Sequence, residues 1–362
     1  LNLILGIILI VLIFYLCKTQ AESLFWSVIG ISLLSFTVLF NWSNSIAFIP
    51  LFLLFLARLI DGLSGGTAAT ATTILADISS PEKRAKTFGL IGVAFGLSFF
   101  LGNIFVVIFA KNTNNNFIIP VLIASIIPII NLLLVFFYLP ETNPSKGINK
   151  STQVLKNPLK QLFKVFQEEK IRKLSLAFFI YFIAFTGLTN ILIFFLQESL
   201  NWTTKASSGT LVVVGVIAII VQGGLIGPLV KIFGEMKLTL IGSGFILVAC
   251  LLLITTPKEN ATVNIYSAVS FLAVGAGLIT PTLRALISKK LDTNKQGSIL
   301  SNLQGLQSLG GVLGIAMAGK VYDSFGPKSP FIAGSIILTF MIYLIAEGKK
   351  NNLHYDQKTK FS

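Results

Sequence analysis

Long, nearly uncharged apolar runs decide what this chain can fold into. About eleven stretches reach bilayer-crossing length: residues 1–17, 24–41, 46–76, 86–110, 117–139, 174–196, 208–233, 238–256, 262–288, 297–322 and 329–347. A membrane helix needs about 20 apolar residues, with about 17–25 tolerated, and longer runs tilt or project into water. The runs do not alternate polar with apolar residues, which argues against the strands of a membrane barrel. Composition points the same way. Charged residues are 12% of the chain, hydrophobic ones 54% and the mean hydropathy is +0.84, whereas soluble domains carry about 25% charged residues. Such a chain cannot cover its surface with polar groups. The expectation is an all-α polytopic membrane protein, solvated by the lipid bilayer.

The net charge of +14 is a topological signal rather than a nucleic-acid footprint. When the loops are assigned alternately to the two sides, one set holds 21 basic residues, including Lys83, Arg84, Lys86, eight from Lys146 to Lys173, and four from Lys349 to Lys360. The other set holds 4: Lys111, Lys205, Lys258 and Lys328. The positive-inside rule makes the rich set cytoplasmic, so the C-terminus is expected inside the plasma (inner) membrane. No nucleic acid is expected as a partner. Cys17 and Cys250 fall in or beside apolar runs and give no disulfide framework. The sequence contains no metal-ligand cluster, Walker loop or HExxH motif, so neither a cofactor nor a metal is expected.

One long polar interval, 140–173, divides the runs into five before and six after. This predicts an N-terminal bundle over 1–139, a cytoplasmic linker over 140–173, a C-terminal six-helix bundle over 174–347 and a cytoplasmic tail over 348–362. In the linker, Asn157 and Pro158 make a helix start. Leu155, Leu159, Leu162, Phe163 and Phe166 oppose Lys156, Lys160 and Lys164, the pattern of a helix lying at the membrane surface. The stretches LADISSPEKRAKTFGL and LISKKLDTNKQGSIL echo one another weakly, as two related halves would.

The run FLARLIDGLSGGTAAT holds Arg58 and Asp61 deep in apolar sequence. At 1.5 Å per residue, Arg58 lies about 21 Å from Asn44 and about 28 Å from Asp77. Each charge costs about 2.5–3.5 kcal/mol at the centre of a membrane helix. Three residues apart, they share a face and can pair. Such groups line a bundle interior or a wet cavity: either they lock two helices together, or they border a transport path on which Asp61 carries a proton and Arg58 is its switch. Gly62 and Gly66, Gly92 and Gly96, Gly223 and Gly227, and Gly310 and Gly314 are small-residue pairs that let helices approach closely.

Several stretches resemble a known family. ARLIDGLSGG followed by LADISSPEKRAKTFGLIGVAFGLSFFLGN is similar to the fourth and fifth helices of the major facilitator superfamily, in its drug:proton antiporter branch, which includes tetracycline-efflux proteins. FYLPET at 137–142, GPLVKIFGEMK at 227–237 and TPTLRALISKKLDTNKQG at 280–297 match later parts of that pattern in order. The resemblance implies twelve helices in two pseudo-symmetric bundles working by alternating access. The first helix is then expected ahead of Leu1, which accounts for the odd count here. Arg58 matches the family's fourth-helix arginine. Gly102 begins the fifth-helix packing motif, but the motif's proline and following glycines are replaced by Asn103, Ile104 and Phe105. The loop between the family's second and third helices reads CKTQAES in place of its usual motif. The family's tetracycline exporters carry an acid in the ninth helix, and 238–256 has none; tetracycline itself is not expected.

Other polar side chains are candidates for a substrate path: Tyr181, Asn190, Arg284, Asn302, Gln304 and Gln307. Arg284 ranks first, because its own segment offers no carboxylate; an anionic substrate or a backbone carbonyl is its expected partner. The expected function is proton-coupled export of small amphipathic molecules by a monomer. The alternatives are a metabolite facilitator or symporter, and a truncated relict that does not transport. No nucleophile–base constellation points to an enzyme.

Overall fold

The computed structural model describes residues 79–109, 162–257, 260–291 and 293–360, with scattered positions between 56 and 137. Among these residues every regular element is helical. The helices are α1 (Arg84–Phe109), α2 (Arg172–Phe194), α3 (Thr204–Ile219), α4 (Ile226–Thr255), α5 (Thr262–Lys289), α6 (Thr293–Phe325) and α7 (Ser329–Lys360). By contacts the chain divides into two compact units, Leu1–Ala71 with Ile108–Asn149, and Thr72–Val107 with Lys150–Ser362. The second unit holds nearly all the described residues. Arg58, Asp61, Gly62 and Gly66 lie outside them.

Local chemistry sets the helix limits. Thr203 is extended, and its hydroxyl accepts from the Ala206 N–H at 3.3 Å, capping α3. A π-turn, Ile220–Leu225, joins α3 to α4. The whole run Thr204–Thr255 has 52 residues, about 78 Å if straight, far more than the ~30 Å bilayer core. It is broken at Gly234, whose φ of 73° and ψ of 158° belong to a region open to glycine. Gly234 falls between the apolar segments 208–233 and 238–256. Gly326, at φ 90°, ends α6, and its N–H returns to the Tyr322 carbonyl at 2.9 Å.

Five runs are long and apolar enough to cross a membrane, counting only described residues: Arg84–Phe105, Arg172–Ser199, Thr204–Thr255, Thr262–Lys289 and Ser329–Glu347. Helix α6 is long enough as well, but Asn302, Gln304, Gln307 and several serines lower its hydropathy. Leu251, Val312, Ile336 and Phe340 are among many large apolar side chains left exposed, as lipid-facing positions require. Inside, Phe178, Tyr181, Phe195 and Phe331 are fully buried, with Phe195 edge-on to Phe331 at 5.2 Å. At the end of the linker the described residues form one short 3-10 turn, Phe163–Phe166, with Val165 rather than Phe163 turned inward.

Helix crossings rest on paired glycines. A Cβ on Gly187 (α2) would lie 2.8 Å from the Gly314 carbonyl (α6). One on Gly242 (α4) would lie 2.9 Å from that of Gly275 (α5), and one on Gly96 (α1) 2.9 Å from that of Gly215 (α3). The sequence pairs fall into these seams. Gly310 and Gly314 face Phe179, Phe182 and Ile183 of α2. Gly92 faces Gln222, Gly223 meets Val93, and Gly227 meets the stem of Lys86. At Gly102, nothing among the described residues lies within 4 Å of where its Cβ would be. Its lack of a side chain permits a close approach that no described neighbour makes.

The two echoing loop sequences also meet. Arg84 Nη1 donates to the Ser288 carbonyl at 2.9 Å, and Lys289 pairs with Glu235. Glu82 lies in the field of Lys289; a backbone N–H first, then the Ser80 hydroxyl, hold its carboxyl below the ordinary range.

Two valine substitutions on α4 test the crossings. Gly242→Val drives a side chain into the Gly275 backbone and is expected to cost about 1–3 kcal/mol, the range for overpacking. Gly244→Val, with no described residue within 4 Å of its Cβ position, is expected to leave the unfolding temperature in detergent unchanged. Equal behaviour of the two variants would rule out the glycine seam.

Candidate functional site

Three helix faces converge on Arg284. On α5, Arg284 lies one turn beyond Thr280 and just past Pro281, which removes an N–H from the helix ladder. The neighbouring hydroxyls are satisfied locally. Thr282 donates to the Leu278 carbonyl at 2.6 Å and lies 2.8 Å from the Thr239 hydroxyl. On α6, Gln304 and Gln307 are three residues apart and share a face. On α2, Phe178, Tyr181, Phe182 and Phe185 make an aromatic stripe at helical spacing.

Arg284 is 4% exposed, although it lies only about 7 Å along α5 from Lys289. Its Nη2 donates to Gln304 Oε1 at 3.0 Å and to Gln307 Oε1. Its guanidinium carbon stands 5.9 Å from the centroid of the Phe178 ring, within cation–π range. Tyr181 stacks on Phe185 at 5.5 Å and meets Phe182 edge-on at 4.9 Å. Its hydroxyl lies 3.2 Å from Thr280 Oγ1.

Carboxamides are neutral, so the cluster keeps the full positive charge of the guanidinium. Among the described residues no carboxylate pairs with Arg284. The only other buried charged side chain among them is Arg84, at the membrane edge. The arrangement is chemically simple: an oriented cation with an aromatic wall and two amide oxygens that can yield their hydrogen bonds to a better acceptor.

Of the residues singled out by sequence, Tyr181, Arg284, Gln304 and Gln307 come together here. Asn190 does not; it is exposed, and its Nδ2 donates to the Thr186 carbonyl of its own helix at 2.9 Å. Asn302 is half-buried on α6 and takes no part in the hydrogen bonding of the cluster. Amide oxygens stand where the sequence led us to expect an anion or a backbone carbonyl. Sequence reasoning missed Phe178, Phe185 and Thr280, whose residue types are too common in membrane helices to stand out. It also missed Gln222, although this is the one amide in an otherwise apolar stretch.

Residues 3–315 match the Major Facilitator Superfamily. Among curated relatives, the class H tetracycline resistance protein of Pasteurella multocida is 24% identical over 273 residues, 75% of this chain and 66% of that protein. Major facilitator superfamily domain-containing protein 10 of Mus musculus is 25% identical over 311 residues, 80% of this chain and 65% of that protein. The chain thus spans about two thirds of the length of these relatives. Among solved structures, the human organic anion transporter MFSD10 (TETRAN) superposes with a TM-score of 0.71 at 23% identity, covering 88% of this chain and 76% of that one. A bacterial homologue of the iron transporter ferroportin, in an outward-facing state, gives 0.61 at 13% identity, with 91% and 84% covered. At these identities the likeness is one of fold.

The amide contacts predict a stability effect. Replacing both Gln304 and Gln307 by Leu leaves the Arg284 guanidinium short of two acceptors, each worth about 1.5–3 kcal/mol to a charged group. The double variant is expected to unfold at a clearly lower temperature in detergent, and the single variants at intermediate ones. Restoring an acceptor with Gln307→Glu is expected to recover the loss.

Proposed function

The chain belongs to the Major Facilitator Superfamily, a family of membrane transporters rather than enzymes, and on that premise we propose that it is a proton-coupled secondary transporter that exports small amphipathic molecules bearing a negative group. The observation that carries this reading is Arg284: a buried guanidinium satisfied only by amides among the described residues, beside the rings of Phe178 and Tyr181. An amphipathic anion supplies what the cluster lacks, a negative group for the cation and a flat or apolar body for the rings. The similarity to tetracycline resistance proteins favours export, and the human fold relative, an organic anion transporter, favours an organic anion.

In this reading about eleven crossings form two bundles, 1–139 and 174–347, joined by the 140–173 linker. The C-terminus is cytoplasmic, and the monomer sits in the plasma membrane. The bundles alternate access to the cluster. Asp61 is the coupling carboxylate and Arg58 its switch: burial favours the protonated acid and the nearby guanidinium the ionised one, so motion that separates and rejoins them loads and releases a proton. A second reading, a facilitator or symporter of an anionic metabolite, is kept by the fifth-helix stretch. There Gly102 has no close neighbour among the described residues, and the Asn103 amide is turned back onto its own helix at the Phe99 carbonyl, 2.8 Å away.

The test is accumulation in inside-out vesicles with an acidic lumen, using aromatic carboxylates and their neutral amides. The carboxylates are expected to accumulate. Arg284→Gln is expected to cut carboxylate transport at least about tenfold, because truncating one partner of a buried charge contact costs about 2–5 kcal/mol, and to change transport of the neutral amides little. Asp61→Asn is expected to abolish dependence on the pH gradient. Gradient-independent equilibration by the unaltered chain would favour the second reading. Equal loss of both substrate types in Arg284→Gln would exclude the anion seat.

A further inference from the structure

Lys328 stands where the charge pattern does not call for a cation. It lies in the turn between α6 and α7, in the set of loops that holds 4 basic residues against 21 in the other set, so the positive-inside bias does not account for it. Its Nζ donates to the Thr256 carbonyl at the end of α4, 2.9 Å away. An ammonium has three N–H groups, and among the described residues no acceptor takes the other two. Glu198 and Asp323, exposed on the neighbouring turns, form no ion pair with it.

The ammonium borders a cavity of about 250 Å³. The π-turn that ends α2, Phe195–Ser199, gives the cavity Phe195 and Ser199, the end of α4 gives Thr256, and the α6–α7 turn gives Phe325 and Lys328. Ser199 Oγ lies 3.2 Å from the Tyr322 hydroxyl, so the wall carries hydroxyls as well as rings. Phe325 is 79% exposed, as aromatic residues at a membrane interface are. From Lys328 the surface of α7 continues through Ile332, Ile336 and Phe340, all exposed. These positions follow one i+4 ridge of the helix. Between Lys328 and Phe340 the ridge rises about 18 Å, close to one leaflet's half of the ~30 Å hydrocarbon core. A soluble anion uses only the cation of this arrangement, and a plain hydrocarbon only the ridge.

We propose that this end of the bundle seats an anionic phospholipid: Lys328 takes the headgroup phosphate at the mouth of the cavity, and an acyl chain lies along Ile332, Ile336 and Phe340. A lysine at the membrane surface attracts anionic lipid, and an ammonium with two N–H groups to spare accepts a phosphate without giving up Thr256. The bound lipid ties together the ends of α2, α4 and α7. The seat is separate from the Arg284 cluster. Arg284 lies about 33 Å along α5 from Thr262, and Thr262 is at the Thr256 end of the bundle. The proposal rests on the membrane embedding of the family and not on what is carried or in which direction.

The experiment uses the full chain in mixed bilayers, with Ile332→Trp as a fluorescent reporter and Trp26, Trp42 and Trp202 replaced by Phe. Quenching by dibrominated phosphatidylglycerol and by dibrominated phosphatidylcholine gives the relative affinity of the two lipids at this position. Phosphatidylglycerol is expected to be favoured about fivefold, the scale of one lysine at a membrane surface. Lys328→Gln removes the charge but keeps an N–H donor for the Thr256 carbonyl, and is expected to bring the ratio to about one. Lys328→Arg is expected to retain the preference, as is Lys205→Gln, at an exposed lysine of α3. A ratio near one in the reporter chain, or a preference that survives Lys328→Gln, overturns the proposal. Millimolar glycerol 1-phosphate is expected to leave the quenching unchanged; displacement of the brominated lipid by it would assign the seat to a free phosphate ester and overturn the lipid assignment. None of these outcomes depends on transport, so the seat and the cargo reading stand or fall separately.

Discussion

Lipid gives two helices no reason to meet. Acyl chains are as apolar as leucine, so burial alone does not drive association, and the backbones must come close enough for dispersion and weak polar contacts to act. Here that constraint is met by one glycine from each helix, at Gly187 with Gly314, Gly242 with Gly275, and Gly96 with Gly215. The crossings also fix the depth of everything beside them. Gly310 rests on Phe179 and Phe182, so the preceding turn of α6 carries Gln307 and Gln304 to the level of Phe178 and Tyr181. Arg284 follows on α5 two turns after Gly277, which is held against Val221. The polar cluster is positioned by close backbone contacts between glycines and not by side-chain pairing.

Sequence revealed what depends on length and local chemistry. The segments read as 86–110 and 262–288 appear as Arg84–Phe109 and Thr262–Lys289, because apolar length alone sets a crossing. The break before residue 238 was visible, and Gly234 makes it. What sequence could not reveal is pairing. Gly187, Gly215, Gly242 and Gly275 have no spacing signal of their own; each matters only through a partner on another helix. Gly102 shows the converse: glycine gives the capacity for a close approach, and no described residue makes one there. Arg284 was recognisable as costly, but its amide partners lie 20 and 23 residues away on the next helix. The π-turn that aims Gln222 at Gly92 leaves no trace in composition beyond one amide in an apolar run.

Arg284 is a charged group kept in an apolar bundle without a carboxylate partner among the described residues. A carboxylate opposite Arg284 would make a tight buried pair, and any cycle that broke it would strand two charges, at a cost of about 3–5 kcal/mol for removing one partner. Amide oxygens avoid that penalty. They hold the guanidinium in place, carry no charge, and can be exchanged for an incoming anion without leaving a stranded carboxylate. A substrate that brings its own negative group therefore replaces weaker acceptors with a stronger one, and its binding does not have to compete against a salt bridge. A carboxylate partner there would give a tighter bundle and, in the proposed cycle, a slower carrier.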